Sequence, residues 1–158
     1  DYFHIEVAAY PEVAPQARSP EAGLRALKAK VDAGANGVIT QYFFNADAYF
    51  RLVDDAATLG VSAPIVPGIM PITSSSQLIR FSDACGAEIP RWIRLRLQSY
   101  GDDVDSIKAF GHEVVADLCE RLVEGGAPAL HFYTMNQAAP TLALCERLGL
   151  NVAEPAVA

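Results

Sequence analysis

Four places in the chain put polar or aromatic side chains directly after an apolar, β-rich run. They are Tyr10-Pro11-Glu12, Gln41-Tyr42-Phe43-Phe44-Asn45, Pro67-Gly68-Ile69-Met70-Pro71 and Tyr133-Thr134-Met135-Asn136. Aromatic faces, a side-chain amide and hydroxyls among rigid proline turns suit a flat ligand, partly apolar and partly hydrogen-bonding. Each run taken alone also reads as ordinary core; the four together point to a binding rim. Other chemistries lack their residues: there is no G-x-G-x-x-G, no Walker phosphate loop, no H-E-x-x-H and no G-x-S-x-G. His4, His112 and His131 stand far apart, without metal-ligand spacing. His4 and His131 fall in predicted strands and are expected to be packed or hydrogen-bonded, His112 to be solvated on a helix. No nucleophile–base pair is legible. Glu12, Asp47, Asp54 and Asp55 lie near caps or on helix faces, where a solvated or capping role is the plain reading. Glu6 alternates with Ile5 and Val7 on the face of His4 and Ala8, and a carboxylate inside a sheet needs a partner. Cys85, Cys119 and Cys145 form no C-x-x-C and read as buried, reduced thiols.

The elements that must position these residues alternate between strand and helix. Residues 3–9 read as a first strand, stopped by Tyr10-Pro11. Ser19-Pro20-Glu21 starts a helix, with Ser as N-cap, Pro at the first position and a carboxylate at the positive end; Gly34 closes it. Residues 37–44, rich in β-branched and aromatic types, predict the second strand. Asn45 caps the next helix, which Gly60 stops. Residues 64–70 predict a third strand, followed by a helix from Thr73–Ser76 to Gly86. Pro90 opens a short helix carrying Trp92 and Ile93. The longest helix is predicted over 104–124, with Val104, Ile107, Phe110, Val114, Leu118 and Leu122 along one face. Residues 129–134 predict the fourth strand, and a last helix runs from Pro140 to about Leu148. Four strands alternating with helices imply a parallel sheet with right-handed crossovers. A doubly wound open sheet and half of a (β/α)8 barrel both fit, since a complete barrel takes about 250 residues.

Composition bounds the partners. With 19 Asp+Glu against 12 Lys+Arg, the net charge of −7 disfavours a nucleic-acid or anionic-membrane surface. The 158 residues, 51% of them hydrophobic, suffice for one core. No apolar run reaches the roughly 18 residues of a membrane span. No signal peptide is visible, and a cytoplasmic location is expected. The chain begins at Asp1 without an initiator Met, as if cut from something longer.

Five runs, in order, carry a resemblance: Val7-Ala8-Ala9-Tyr10-Pro11-Glu12, Lys30-Val31-Asp32-Ala33-Gly34-Ala35-Asn36, Ile39-Thr40-Gln41-Tyr42-Phe43-Phe44, Pro67-Gly68-Ile69-Met70-Pro71 and His131-Phe132-Tyr133-Thr134-Met135-Asn136. Together they resemble the catalytic barrel of the methylenetetrahydrofolate reductase family, over nearly the whole chain. The resemblance implies an α/β fold: a (β/α)8 TIM-barrel segment of four parallel β/α units, strands five to eight, over residues 1–150, with 151–158 as a tail. It implies FAD as cofactor and NAD(P)H as electron donor, reducing 5,10-methylenetetrahydrofolate to 5-methyltetrahydrofolate. Tyr10, Ala14, Ala17 and Lys30 then match cofactor-binding positions, although by spacing alone Lys30 reads as a solvated helix lysine. Gln41 matches the residue that hydrogen-bonds the pterin, and a side-chain amide offers the donor and acceptor a pterin edge needs. Phe81 matches an aromatic on the folate's benzoyl ring; Gln77, Met135 and Gln137 match other substrate positions. Three departures stand out: Ala14 where relatives often carry His, Gly23 where some carry Asp, and Gln137 where some carry Arg. The family's general acid, a Glu on an early strand, has no counterpart in these residues.

A half-barrel leaves open strand edges and an uncovered sheet face. If about four strand residues lose burial at roughly 1.5–3 kcal/mol each, the loss is about 6–12 kcal/mol, comparable with a whole domain's net stability. The chain is therefore expected to pair with a missing N-terminal half-barrel or with a copy of itself. Three readings follow: a segment of the reductase, a non-catalytic folate- or flavin-binding half-barrel, and an unrelated open α/β domain.

Overall fold

The computed structural model describes residues 3–13 and 17–150. The expectations for Ala14 and for the 151–158 tail lie outside the described residues. The elements are β1 (Glu6–Ala9), α1 (Pro20–Asp32), β2 (Gly37–Tyr42), α2 (Ala46–Thr58), β3 (Ile65–Ile69), α3 (Ser75–Cys85), α4 (Arg91–Tyr100), α5 (Val104–Glu124), β4 (His131–Phe132) and α6 (Ala138–Arg147). Helix boundaries follow local chemistry. Ser19, Asn45, Ser74 and Asp103 each accept a hydrogen bond from a backbone N–H in the first turn of α1, α2, α3 and α5. Gly86 ends α3 at φ 74°, a left-handed position that favours glycine.

The four strands are parallel and stand in sequence order, β1-β2-β3-β4. A doubly wound sheet reverses its order at a switch point; this one does not. Consecutive order with right-handed crossovers puts the helices on one face and leaves the other bare. Burial agrees: in β2, Val38, Thr40 and Tyr42 are buried while Ile39 and Gln41 are only half-buried. The architecture is thus the one-sided arrangement of half a TIM-barrel-like fold, which sets aside the unrelated open domain.

All four strands are shorter than their sequence predicts, β1 and β4 most of all. β1 begins at Glu6, because Asn36 takes over the pairing of Ile5: its backbone N–H donates to the Ile5 carbonyl at 2.8 Å and its Oδ1 accepts from Ile5 N at 2.9 Å. β4 keeps only two residues, pairing Gly68 with His131 and Ile69 with Phe132. Continued backwards, that register sets Leu130 against Pro67 and Pro128 against Ile65, and proline has no N–H to give.

Pro67 sits in a strand with neighbours on both sides, where proline is ordinarily excluded. The β2–β3 register breaks between Ile39 and Tyr42. Buried Thr40 fills the gap, its Oγ1 accepting from Gly68 N at 2.9 Å. The core lies between sheet and helices, with Phe43, Ile69, Leu78, Ile93, Leu97 and Leu122 fully buried. Some expected core positions are not core. Val104 is 52% exposed in the first turn of α5, and of the three thiols only Cys119 is buried, Cys85 and Cys145 being half-buried.

Candidate functional site

The carboxyl ends of the four strands form one rim, and several cavities open along it. The first is a groove of about 920 Å³ beside β1 and α1, with Tyr10, Ala17 and Lys30 in its wall. Gly23, Arg18 and Arg51 line it too. Lys30 is exposed, and its Nζ donates to the Ala8 carbonyl at 2.9 Å, so the cation spans from α1 to the β1 rim. Arg18 and Arg51 are exposed on the same groove, at positions the sequence does not single out. The same groove is lined by Glu12, Asp55 and Glu88, so its three cations face three carboxylates.

The second cavity is a narrow cleft of about 20 Å³ between β3, α3 and the β4–α6 connection. Gln77, Phe81, Met135 and Gln137 all line it, together with Tyr133 and Thr134. Its volume holds about one water, so a larger ligand must widen the cleft or lie along its open side. Phe81 is half-buried, with the Arg80 guanidinium carbon 5.1 Å from its ring centroid. Met135 and Asn136 take φ 50° and 60°, and Gln137 N donates to the Thr134 carbonyl at 2.9 Å. Two successive positive φ values define a type I′ turn, which is costly for methionine. Backbone strain of this kind concentrates at ligand sites, and here the turn places Met135 at the cleft, 46% exposed.

Gln41 lies between the two, in a small niche with Tyr10, Glu12 and Cys85. Its Oε1 accepts from Tyr42 N at 3.0 Å, which fixes the amide's orientation and leaves its NH2 group as the free donor. Tyr10, Ala17 and Lys30 thus line one cavity and Gln77, Phe81, Met135 and Gln137 another, while Tyr10 and Gln41 share the small niche.

Buried phenols stiffen the rim. Tyr133 OH donates to the Thr40 carbonyl at 2.9 Å, and burial, with the neighbouring Tyr10 and Cys85, pushes its pKa up. Tyr42 OH shares a 3.0 Å hydrogen bond with Ser82 Oγ, and burial, then Cys85, raises its pKa strongly. Both phenols stay neutral and serve as props.

The isolated ionisable residues resolve variously. Glu6 is paired, with His4 Nε2 at 3.3 Å, but on the exposed sheet face. His131 is half-buried, edge-on to Tyr133 at 4.9 Å. His112 is half-buried and lines an open cavity between α5 and α6. Asp47 pairs with Arg121 across to α5. Glu12 departs most from the solvated reading: it is half-buried, and burial, the largest influence, raises its pKa. Among the described residues, no group of three or more His, Cys, Asp or Glu could hold a metal ion, and no helix is long and apolar enough to cross a membrane.

The family model for methylenetetrahydrofolate reductase matches residues 1–149. The chain belongs to the methylenetetrahydrofolate reductase family. It is 40% identical over 148 residues to the 5,10-methylenetetrahydrofolate reductases of Escherichia coli and Salmonella typhimurium, covering 94% of this chain and 50% of each relative. A probable methylenetetrahydrofolate reductase (NADH) of rice is 38% identical over 159 residues, which cover 95% of this chain and 27% of the rice protein. The chain thus spans about half the length of the bacterial reductases it matches. An uncharacterized Clostridium thermocellum protein, described as binding two copies of 5-methyl-5,6,7,8-tetrahydrofolic acid, shares the fold. It matches with a TM-score of 0.61 and 20% identity, over 92% of this chain and 54% of its own.

Proposed function

We propose that this chain is the folate-facing half of a methylenetetrahydrofolate reductase barrel, its fifth to eighth strands, and that its own contribution is binding. A reduced folate lies over Gln41, Gln77, Phe81, Met135 and Gln137, beside a flavin at Tyr10, Ala17 and Lys30. One observation carries the reading: four folate-type residues from two distant chain segments line one cleft. The description of the Clostridium thermocellum neighbour supports a folate as the class of ligand. The free NH2 of Gln41 suits a pterin carbonyl, and the Phe81 face a benzoyl ring.

Binding is favoured over catalysis for this chain by itself, because Glu12, the acid in the Gln41 niche, is taken up by the Glu88 N–H and, among the described residues, no carboxylate or histidine lines the cleft. Its one ionisable group, Tyr133, is held neutral. The second reading is the whole reductase reaction, 5,10-methylenetetrahydrofolate to 5-methyltetrahydrofolate with NAD(P)H, and identity to the bacterial reductases favours it. There the general acid, a group worth about 10²–10⁴-fold, comes from the rest of the barrel. The 920 Å³ groove has room for FAD, with Lys30, Arg18 and Arg51 set among Glu12, Asp55 and Glu88 in its wall; bound FAD would supply hydride transfer from NAD(P)H to the folate. Lys30, Arg18 and Arg51 would hold the diphosphate, and Tyr10 the ring end nearest Gln41. The bare sheet face is covered by the N-terminal half-barrel, or by a second copy. Three free cysteines suit a reducing, cytoplasmic setting.

Calorimetric titration with 5-methyltetrahydrofolate and with FAD tests this. The chain should bind both, and Gln41→Ala should weaken folate more than flavin. Soluble protein that binds neither refutes the reading; equal losses on Gln41→Ala refute the assignment of that residue.

A further inference from the structure

Glu12 has no role in the reading above, yet it sits where the two sites touch. It lines both the large groove and the Tyr10–Gln41 niche. Its Oε2 accepts from the backbone N–H of Glu88 at 2.6 Å, across 76 residues of sequence. Glu88 lies in the connection between α3 and α4, and Glu12 just beyond β1, so this contact ties the first strand's rim to a segment two β/α units away. Keeping a half-buried carboxylate there works against desolvation and against the nearby Glu88 carboxylate, with the Tyr42 phenol also close by. A carboxylate held at such a place needs a compensating bond, and the Glu88 N–H supplies one.

We propose that Glu12 is a positioning residue: its clasp on the Glu88 N–H fixes the β1 rim against the α3–α4 connection and so holds Tyr10 and Gln41 in register across one niche. This rests on the proposed folate and flavin sites. The clasp pre-organises the boundary where the two ligands meet, so its loss weakens both together, whereas loss of a contact residue weakens one.

The test compares Glu12→Ala, Glu12→Asp, Glu12→Gln and Glu88→Ala at pH 7.5. The probes are FAD and 5-methyltetrahydrofolate, and the Glu88 amide proton is followed by NMR. Glu12→Ala removes the acceptor and Glu12→Asp pulls it back by one methylene; each should weaken both ligands about three- to tenfold, the scale of one hydrogen bond to a charged group at a half-exposed site. Glu12→Gln keeps an acceptor and should stay within about twofold of wild type, and so should Glu88→Ala, because the donor is backbone. The Glu88 amide proton should move upfield in the Ala and Asp variants and remain downfield in the other two. Wild-type affinity in both Glu12→Ala and Glu12→Asp overturns the proposal, as does a fall in Glu88→Ala equal to theirs. If Glu12→Ala does not fold, Glu12→Asp against Glu12→Gln decides. If wild type binds neither probe, the functional reading fails, and the amide proton alone judges the clasp: movement in Glu12→Asp upholds it, no movement overturns it.

Discussion

Gly68→Ala is the sharpest test of how the rim is built. A Cβ on Gly68 would lie 2.2 Å from the Thr40 carbonyl oxygen and 2.6 Å from Tyr133 Cε2. Backbone cannot yield as a side-chain tip does, so β2 and β3 must part by about an ångström. Overpacking of this kind costs about 1–3 kcal/mol. The same displacement threatens the Gly68 N–H bond to Thr40 Oγ1 and the Tyr133 bond to the Thr40 carbonyl, at about 1 kcal/mol each. The expected loss is about 3–5 kcal/mol, a large part of a typical domain's stability. Gly23→Ala is the matched control: nothing lies within 4 Å of its added Cβ, inside α1, and replacing a helical glycine should stabilise by about 0.5–1 kcal/mol. Urea unfolding followed by circular dichroism should show the Gly68→Ala midpoint falling by about 1–3 M and the Gly23→Ala midpoint rising slightly. A Gly68→Ala midpoint within about 0.3 M of wild type would refute the close β2–β3–β4 packing, and with it the claim that Tyr133 is propped on Thr40.

Three further outcomes are expected. Cys119 is buried, and burial pushes its thiol up to about 12; with a thiol reagent at pH 8, Cys85 and Cys145 should react in the native protein and Cys119 only after unfolding, so three equally fast thiols would contradict the structure. Because the folded-state pKa of Glu12 is raised, its contribution to stability is full below the ordinary value and is lost as pH rises through the raised one. Glu12→Gln should therefore melt higher than wild type at pH 7.5, with the gain shrinking toward pH 4.5, and a gain that grows on acidification would reverse the sign. Phe3 and Ile5, at the open β1 edge, are 81% and 50% exposed; light scattering should find assemblies larger than one chain, and a monodisperse monomer with a cooperative melt would count against an unfilled edge.

Much of this molecule is written locally. Ser19-Pro20, Asn45 and the 104–124 pattern mark helices that form where their caps and periodicities put them, because both signals act over one turn of chain. Strand ends are less legible. β4 shrinks because Pro67 and Pro128 withhold donors across a pairing that joins residues 63 positions apart, a relation no window of sequence contains. The candidate site divides the same way. Tyr10, Lys30, Gln41, Gln77, Phe81, Met135 and Gln137 are recognisable by their family register, while Arg18 and Arg51 are visible only once α1 and α2 stand beside one groove.

By itself the sequence determined the alternation of four strands with helices, the family, and the residue types along the rim. Tertiary structure alone decided three things: that the strands stand in order with one face bare, that Tyr10, Ala17 and Lys30 line one cavity while Gln77, Phe81, Met135 and Gln137 line another, and that Glu12 is not a solvated acid. Each depends on which distant segments become neighbours. A carboxylate's burial and partners are set by the chain that packs against it, here Glu88, 76 residues away.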